Sequence, residues 1–255
     1  MTAPTVQRRK RTGRGETAGA ANEPASQPAK PPAHKPAQRP AHKAAHKPAH
    51  QPPQRLPRQA KAAVRRGAIL AAALAEFSAK GFAAARLEDV AKRAGVAKGT
   101  IYLYFADKES LFQEIVRAEM TPVAGAIEAA FAADVPLRAI VDRAMDLFVR
   151  EVFETHRRQV LRLIITEGPR FPALAEFYYR EVLARIIKAV RGRARRAAVS
   201  GEVADDTLVR FPQLMGAPAV TAIVWSGLFD RFETLDLRAM LTAYFDRLLP
   251  ARSAP

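Results

Sequence analysis

Residues 81–108 constrain the chain most: GFAAARLEDVAKRAGVAKGTIYLYFADK. Leu87, Val90, Ala91 and Ala94 recur at the 3, 4 and 7 offsets that line one face of a helix. Gly95 breaks that helix, and Val96 returns an apolar contact. A second short helix follows, with Ile101 and Phe105 one turn apart on its inner side. Its other face carries Lys98, Thr100, Tyr102 and Tyr104, with Lys108 just beyond. Two short helices on a tight glycine turn, the second polar and basic outside, predict a helix-turn-helix. Such a second helix can lie in the DNA major groove with its first residues at base edges.

The same residues resemble the DNA-binding signature of the TetR/AcrR family of bacterial one-component transcriptional regulators. The shared order is a glycine-aromatic pair, an acidic-aliphatic-alanine helix, the recognition segment "GVAKGTIYLYF", and a "DKESLF" start to the next helix. The close match runs from Ala62 to Met120. The rest resembles the family as an all-helical tail of the right length, including "EGPRFPALAEFYYREV". The resemblance implies that Lys98, Gly99 and Thr100 face the bases, while Tyr102, Tyr104 and Lys108 meet phosphates or thymine methyls. The chemistry agrees, because lysine can donate to guanine or phosphate, and threonine can donate, accept or meet a methyl. Core packing is the alternative for Tyr104. Relatives commonly carry Ser or Thr where this chain has Ala85 and Arg86, and Ser where it has Ala97. Arg86 is a substitute phosphate contact.

Upstream, Ile69, Leu70, Ala73, Leu74 and Phe77 make one apolar stripe of a helix over 62–80, with Gly81 expected as a left-handed cap. Asp107 is placed to cap the following helix, which carries Leu111, Phe112, Ile115 and Val116. Beyond Pro122 helix follows helix, with breaks at Pro136, Gly168, Pro169, Pro172, Pro212 and Pro218. No segment alternates with period two, so the fold class is all-α. The expected domains are a basic tail over 1–58, a helix-turn-helix DNA-binding domain over 59–107, and a ligand-binding and dimerisation bundle over 108–255.

Charge separates the tail from the rest. The chain holds 41 Lys and Arg against 25 Asp and Glu, a net of +16. Residues 1–66 alone hold 15 of those cations against two acids. The first 60 residues also carry 11 of the 19 prolines and a Pro-Ala-His-Lys repeat containing His34, His42, His46 and His50. Such a segment buries too little apolar surface to offset its ordering entropy, so it is predicted to be disordered. Its lysines suit a salt-screened grip on DNA phosphates. A second basic run, Arg191–Arg196, reads as a solvated helix end.

Other chemistries find little support. The chain has no cysteine, and His156 is the only histidine beyond the tail. Neither a phosphate loop nor a His-Glu-x-x-His site is present. No enzyme, cofactor or metal is expected. The chain also lacks a run of about 18 apolar residues and an apolar N-terminal segment, so neither a membrane span nor a secretory signal is expected.

Phe148, Val152, Leu161, Ile164, Phe177 and Tyr178 are candidates to line an apolar effector pocket, and equally candidates for ordinary core. The last two helices are apolar on more than one side. Val220, Ile223, Val224, Leu237, Met240, Leu241, Tyr244 and Leu248 are therefore candidates for a two-fold dimer interface. The expected function is a ligand-released homodimeric repressor on a pseudo-palindromic operator, cytoplasmic and associated with the nucleoid. The alternative is a weakly specific architectural DNA-binding protein driven by the tail.

Overall fold

The computed structural model describes residues 58–249, which fall within one compact unit, Gln54–Pro255. The proline- and histidine-rich tail lies outside the described residues. Among those residues the chain is helical, with no strand.

Helix α1 (Arg58–Ala84) buries Ile69, Leu70, Ala73, Leu74 and Phe77 along one side. Although α1 is long and apolar enough to cross a membrane by composition, that side is the core of the fold. Gly81 does not close α1 as a left-handed cap. Its φ of 77° is positive, but its ψ of 160° is extended, and helical turns resume to Ala84. That combination is open essentially to glycine alone. A Cβ at this position would also stand 2.7 Å from Glu167 Oε1, so the backbone bends where α1 is crossed by a carboxylate.

Helices α2 (Leu87–Ala94) and α3 (Lys98–Tyr102) follow, joined by Gly95 in the left-handed conformation with φ 66° and ψ 33°. The Gly95 N–H donates back to the end of α2, a backbone geometry that favours a residue without Cβ. Helix α4 (Lys108–Glu119) opens with a capping box: Asp107 Oδ1 accepts from the Ser110 N–H at 2.7 Å, and Ser110 Oγ accepts from the Asp107 N–H at 3.1 Å.

Then come α5 (Thr121–Ala132), α6 (Leu137–Leu147), α7 (Arg158–Glu167), α8 (Pro172–Tyr178) and α9 (Ala184–Val199). A π-helical turn over Phe148–Phe153 extends α6, and another over Tyr179–Leu183 joins α8 to α9. The chain ends its described part with α10 (Thr207–Arg210), a 3-10 turn over Pro212–Met215, α11 (Ala217–Leu228) and α12 (Leu237–Leu248).

Two apolar clusters hold the described residues together. One runs from Phe77, Val90, Ile101 and Phe112 to Val160, Leu163, Leu174 and Phe177, so it continues without a break across residues 107–108. The other gathers Phe131, Ile140, Val141, Val190, Leu208, Leu241 and Phe245 at the far end. The N-terminal helices are therefore seated on α7 and α8 through shared core. A polar tie reinforces this seat, Ser78 Oγ donating to Gln159 Oε1 at 3.0 Å, while Arg66 meets Glu114 at 2.7 Å to join α1 to α4.

The basic run Arg191–Arg196 is solvated only in part: Arg195 and Arg196 are exposed, but three of its arginines are bonded within the fold. Arg193 is buried, donating to the Val135 carbonyl at 2.9 Å and pairing with Glu202 at 2.6 Å. Arg191 donates to the Val209 carbonyl and Arg196 to the Phe131 carbonyl. Glu202 also accepts from the Leu137 N–H. Three arginines thus reach carbonyls at the ends of α5 and α10 and in the loop before α6. The sequence pattern could not show this, because the carbonyls lie far away along the chain.

Candidate nucleic-acid interface

The helix-turn-helix is stiff on its inner side. Leu87, Val90, Ala91 and Ile101 are buried, as is Phe105 just past α3. A charged rivet joins α2 to α1. Lys80 lies 2.8 Å from both Glu76 and Asp89, and Arg93 Nε lies 2.7 Å from Glu76. Hydrogen bonds from Lys80 and then Arg93 hold the Glu76 carboxyl below its ordinary range against the opposing effect of burial. Lys80 is raised, first by Asp89 and then by Glu76. The rivet fixes the angle at which α2 presents its successor.

The outer side of α3 is open. Tyr102 is 49% exposed, Lys98 and Gly99 are exposed, and Thr100 is half-buried. Gly99 has a helical backbone, and a Cβ built on it would meet nothing within 4 Å. Nothing within the protein requires glycine there. Lys98 Nζ pairs with the exposed Glu88 carboxylate and lies 6.0 Å from the Tyr102 ring centre.

Arg86 sits at the N-cap of α2 with extended backbone. Its side chain is exposed and forms no hydrogen bond or ion pair among the described residues, although its charge helps lower Glu88 and Asp89. Neither Arg86 nor Ala97 supplies a side-chain cap, so the first N–H groups of α2 and α3 have no side-chain acceptor. An open concavity of about 450 Å³ lies between the end of α1 and this face, lined by Ala83, Ala84, Ala85, Arg86, Leu87, Glu88, Tyr102 and Lys108.

Two of the expected contacts are partly engaged within the protein. The Lys108 ammonium donates to the Phe82 and Ala83 carbonyls, each at 2.9 Å, and lies 5.1 Å from the Phe82 ring centre. It closes the end of α1 while still touching the concavity. Tyr104 is half-buried against the core beside Phe105. Sequence reasoning missed Glu88, whose exposed carboxylate stands on this face. Its place next to Leu87 in the first helical turn was the available signal.

An exposed cationic helix with an inner glycine turn matches a known pattern. The profile of the family described as "Bacterial regulatory proteins, tetR family" covers residues 69–115. Over 162 residues the chain is 30% identical to the HTH-type transcriptional repressor BepR of Brucella suis, spanning 58% of this chain and 75% of that relative. The chain belongs to the TetR family.

Other TetR-type relatives align over less. YhgD of Bacillus subtilis, an HTH-type transcriptional regulator, is 36% identical over 36% of this chain and 48% of its own length. The chain spans less than half the length of several such curated relatives. The fold is shared with Bacillus subtilis FadR in complex with stearoyl-CoA, at TM-score 0.60 and 21% identity, covering 72% of this chain and 97% of FadR.

The other candidate residues are dispersed. Val152, Phe177 and Tyr178 are buried, and Phe148, Leu161 and Ile164 pack against the same cluster as half-buried neighbours. Arg117 and Arg180 stand 4.9 Å and 5.6 Å from the Phe177 ring centre. Burial pushes the Tyr178 phenol up, and its hydroxyl forms no hydrogen bond among the described residues.

Of the candidate dimer residues, Ile223, Leu237 and Leu241 are buried in the protomer's own core. Met240, Tyr244 and Leu248 are half-buried, and the Tyr244 hydroxyl donates to the Leu214 carbonyl at 2.8 Å. Val220 is exposed and Val224 half-buried, and the same i+4 row reaches the exposed Leu228. Phe229 and Phe232 continue that apolar surface.

Proposed function

We propose that this chain is a homodimeric, sequence-specific DNA-binding transcriptional regulator, a repressor released by a small apolar or amphipathic ligand. The carrying observation is the outer face of α3. It combines an exposed donor at Lys98 and a half-buried one at Thr100 with a helical Gly99 that no internal contact explains. A glycine at that point lets the backbone approach a base edge, and the flanking side chains match groove chemistry. Arg86, Tyr102 and the uncapped helix starts are suited to phosphates, which position the protein without carrying sequence information. Tyr104 and Lys108 would join them while keeping their internal packing. The domain assignment follows: 59–107 for DNA, 108–255 for ligand and dimer.

Dimerisation is supported by the row Val220, Val224 and Leu228 with Phe229 and Phe232, an apolar surface of the kind a two-fold partner covers. A dimer places two α3 helices on half-sites about one DNA turn apart, or a multiple of it. The effector class is supported by the apolar residues around Tyr178, and by the stearoyl-CoA bound to the fold neighbour FadR. Release would follow from a ligand preferring a dimer geometry that mismatches the half-site spacing. This reading makes the protein a non-enzymatic regulator working in the cytoplasm on the nucleoid.

Selection from random duplex DNA, run in parallel on the full chain and residues 59–255, tests the reading. A shared inverted repeat is expected from both. Salt-sensitive binding without an enriched motif, and only with the tail present, would instead favour the architectural alternative.

A further inference from the structure

The DNA-facing surface contains one carboxylate that the fold does not use for packing. Asp89 is turned toward Lys80 and the rivet, but its neighbour Glu88 is exposed and bonded to Lys98. Lys98 opens α3, and Glu88 lines the concavity together with Arg86, Tyr102 and Lys108. A carboxylate at that place repels an approaching phosphate backbone. It also occupies the ammonium that would grip a phosphate most simply. For a surface built only to hold a polyanion, both effects are losses.

We propose that Glu88 is a specificity-determining positioning residue, holding Lys98 back from phosphates so that its remaining N–H groups engage DNA where a base edge meets them beside the Glu88 bond. The inference rests on the DNA-binding regulator reading.

The physical argument is differential. On random sequence, Lys98 would have to leave Glu88 for a phosphate oxygen and abandon the carboxylate near other phosphates. On a site offering the paired O6 and N7 acceptors of guanine, Lys98 can turn its free N–H groups to the base while remaining beside Glu88. Two features allow this. Lys98 carries three donors, of which one serves Glu88. The Tyr102 ring, its centre 6.0 Å from Nζ, offers the ammonium an aromatic face on the same side. Glu88 is held below its ordinary range chiefly by the Lys98 hydrogen bond, so the pair persists through neutral pH. Both partners are about half exposed, so the effect is modest and tuned by salt.

The test uses the full chain with Glu88→Gln, Lys98→Ala and the double variant. Affinity is measured by fluorescence anisotropy over a salt series, on the selected inverted repeat and on random duplex. Glu88→Gln is expected to tighten random-duplex binding roughly 2- to 5-fold and to steepen its salt slope by about 0.9. The inverted repeat should gain less, so the specificity ratio falls. In the Lys98→Ala background Glu88→Gln should tighten both duplexes only by the lost repulsion, a smaller gain that leaves the specificity ratio unchanged.

Equal gains on both duplexes, or an unchanged Glu88→Gln effect in the Lys98→Ala background, would overturn the proposal while leaving the regulator reading intact. A wild-type protein with no sequence preference would remove both. Glu88 is exposed and makes no core contact, so circular dichroism should show the variant folded.

Discussion

Two basic regions of this protein have similar composition and opposite arrangements. In α9, Arg191, Arg193 and Arg196 direct their guanidiniums at carbonyls and at Glu202, closing loops within the protein. On the α2–α3 face, the Arg86 guanidinium has no partner among the described residues, and Lys98 has one exposed carboxylate. Basic residues identify an interface when their donors are left unsatisfied by their own fold. A cluster of cations alone does not do so. The difference is one of desolvation: donors already bonded inside are costly to withdraw, whereas exposed ones exchange water for a ligand.

This contrast can be broken by substitution, starting in α9. Arg193→Ala leaves the Val135 carbonyl and Glu202 short of a donor. It should destabilise the fold by about 2–3 kcal/mol, a fall of roughly 5–10 °C in Tm for a chain of this size. Thermal unfolding checks the loss, and DNA preference in the folded fraction should persist.

Lys108 lies between the two classes, with its donors on α1 carbonyls and its side chain at the concavity. Lys108→Ala should cost about 1–2 kcal/mol of stability as well as DNA affinity, and paired denaturation and binding curves separate the two losses.

Arg86→Ala, by comparison, should change stability by no more than about 0.5 kcal/mol. The same substitution should flatten the log–log salt dependence of DNA binding by about 0.9. An unchanged slope would remove Arg86 from the phosphate contacts.

The smallest effect near neutrality concerns the α1–α2 rivet. Glu76 is lowered from 4.5, so its contribution is present above that pH and is lost as pH falls through the depressed folded value. The Tm of the wild type should therefore drop on acidification below about 4.5, and less steeply for Glu76→Gln.

Much of this architecture was legible in the sequence. The stripes of Ile69, Leu70 and Phe77, and of Leu87, Val90 and Ile101, follow from helical period, and Gly95 and Asp107 mark their ends. The π-helical turns at Phe148–Phe153 and Tyr179–Leu183 were not legible. An inserted residue shifts the phase of a stripe without interrupting it, so the sequence still reads as continuous helix. Nor was the close approach of Glu167 to Gly81, since that carboxylate arrives from another helix. On α3, the outward side of Lys98, Thr100 and Tyr102 followed from helix phase, whereas Gly99 entered only through the family resemblance. The internal bonds of Lys108 and the pairing of Lys98 with Glu88 depend on tertiary neighbours that periodicity does not encode.

Gly99 tests the central claim most directly, since no contact within the protein calls for a glycine at this helical position. Gly99→Ala should leave Tm unchanged or raise it, because alanine is favoured over glycine in a helix by about 1 kcal/mol and the new Cβ meets no neighbour. Its affinity for the selected inverted repeat should fall by about tenfold or more, equivalent to at least ~1.4 kcal/mol. Wild-type affinity in a folded Gly99→Ala protein would contradict the claim that the α3 face is the surface that reads DNA.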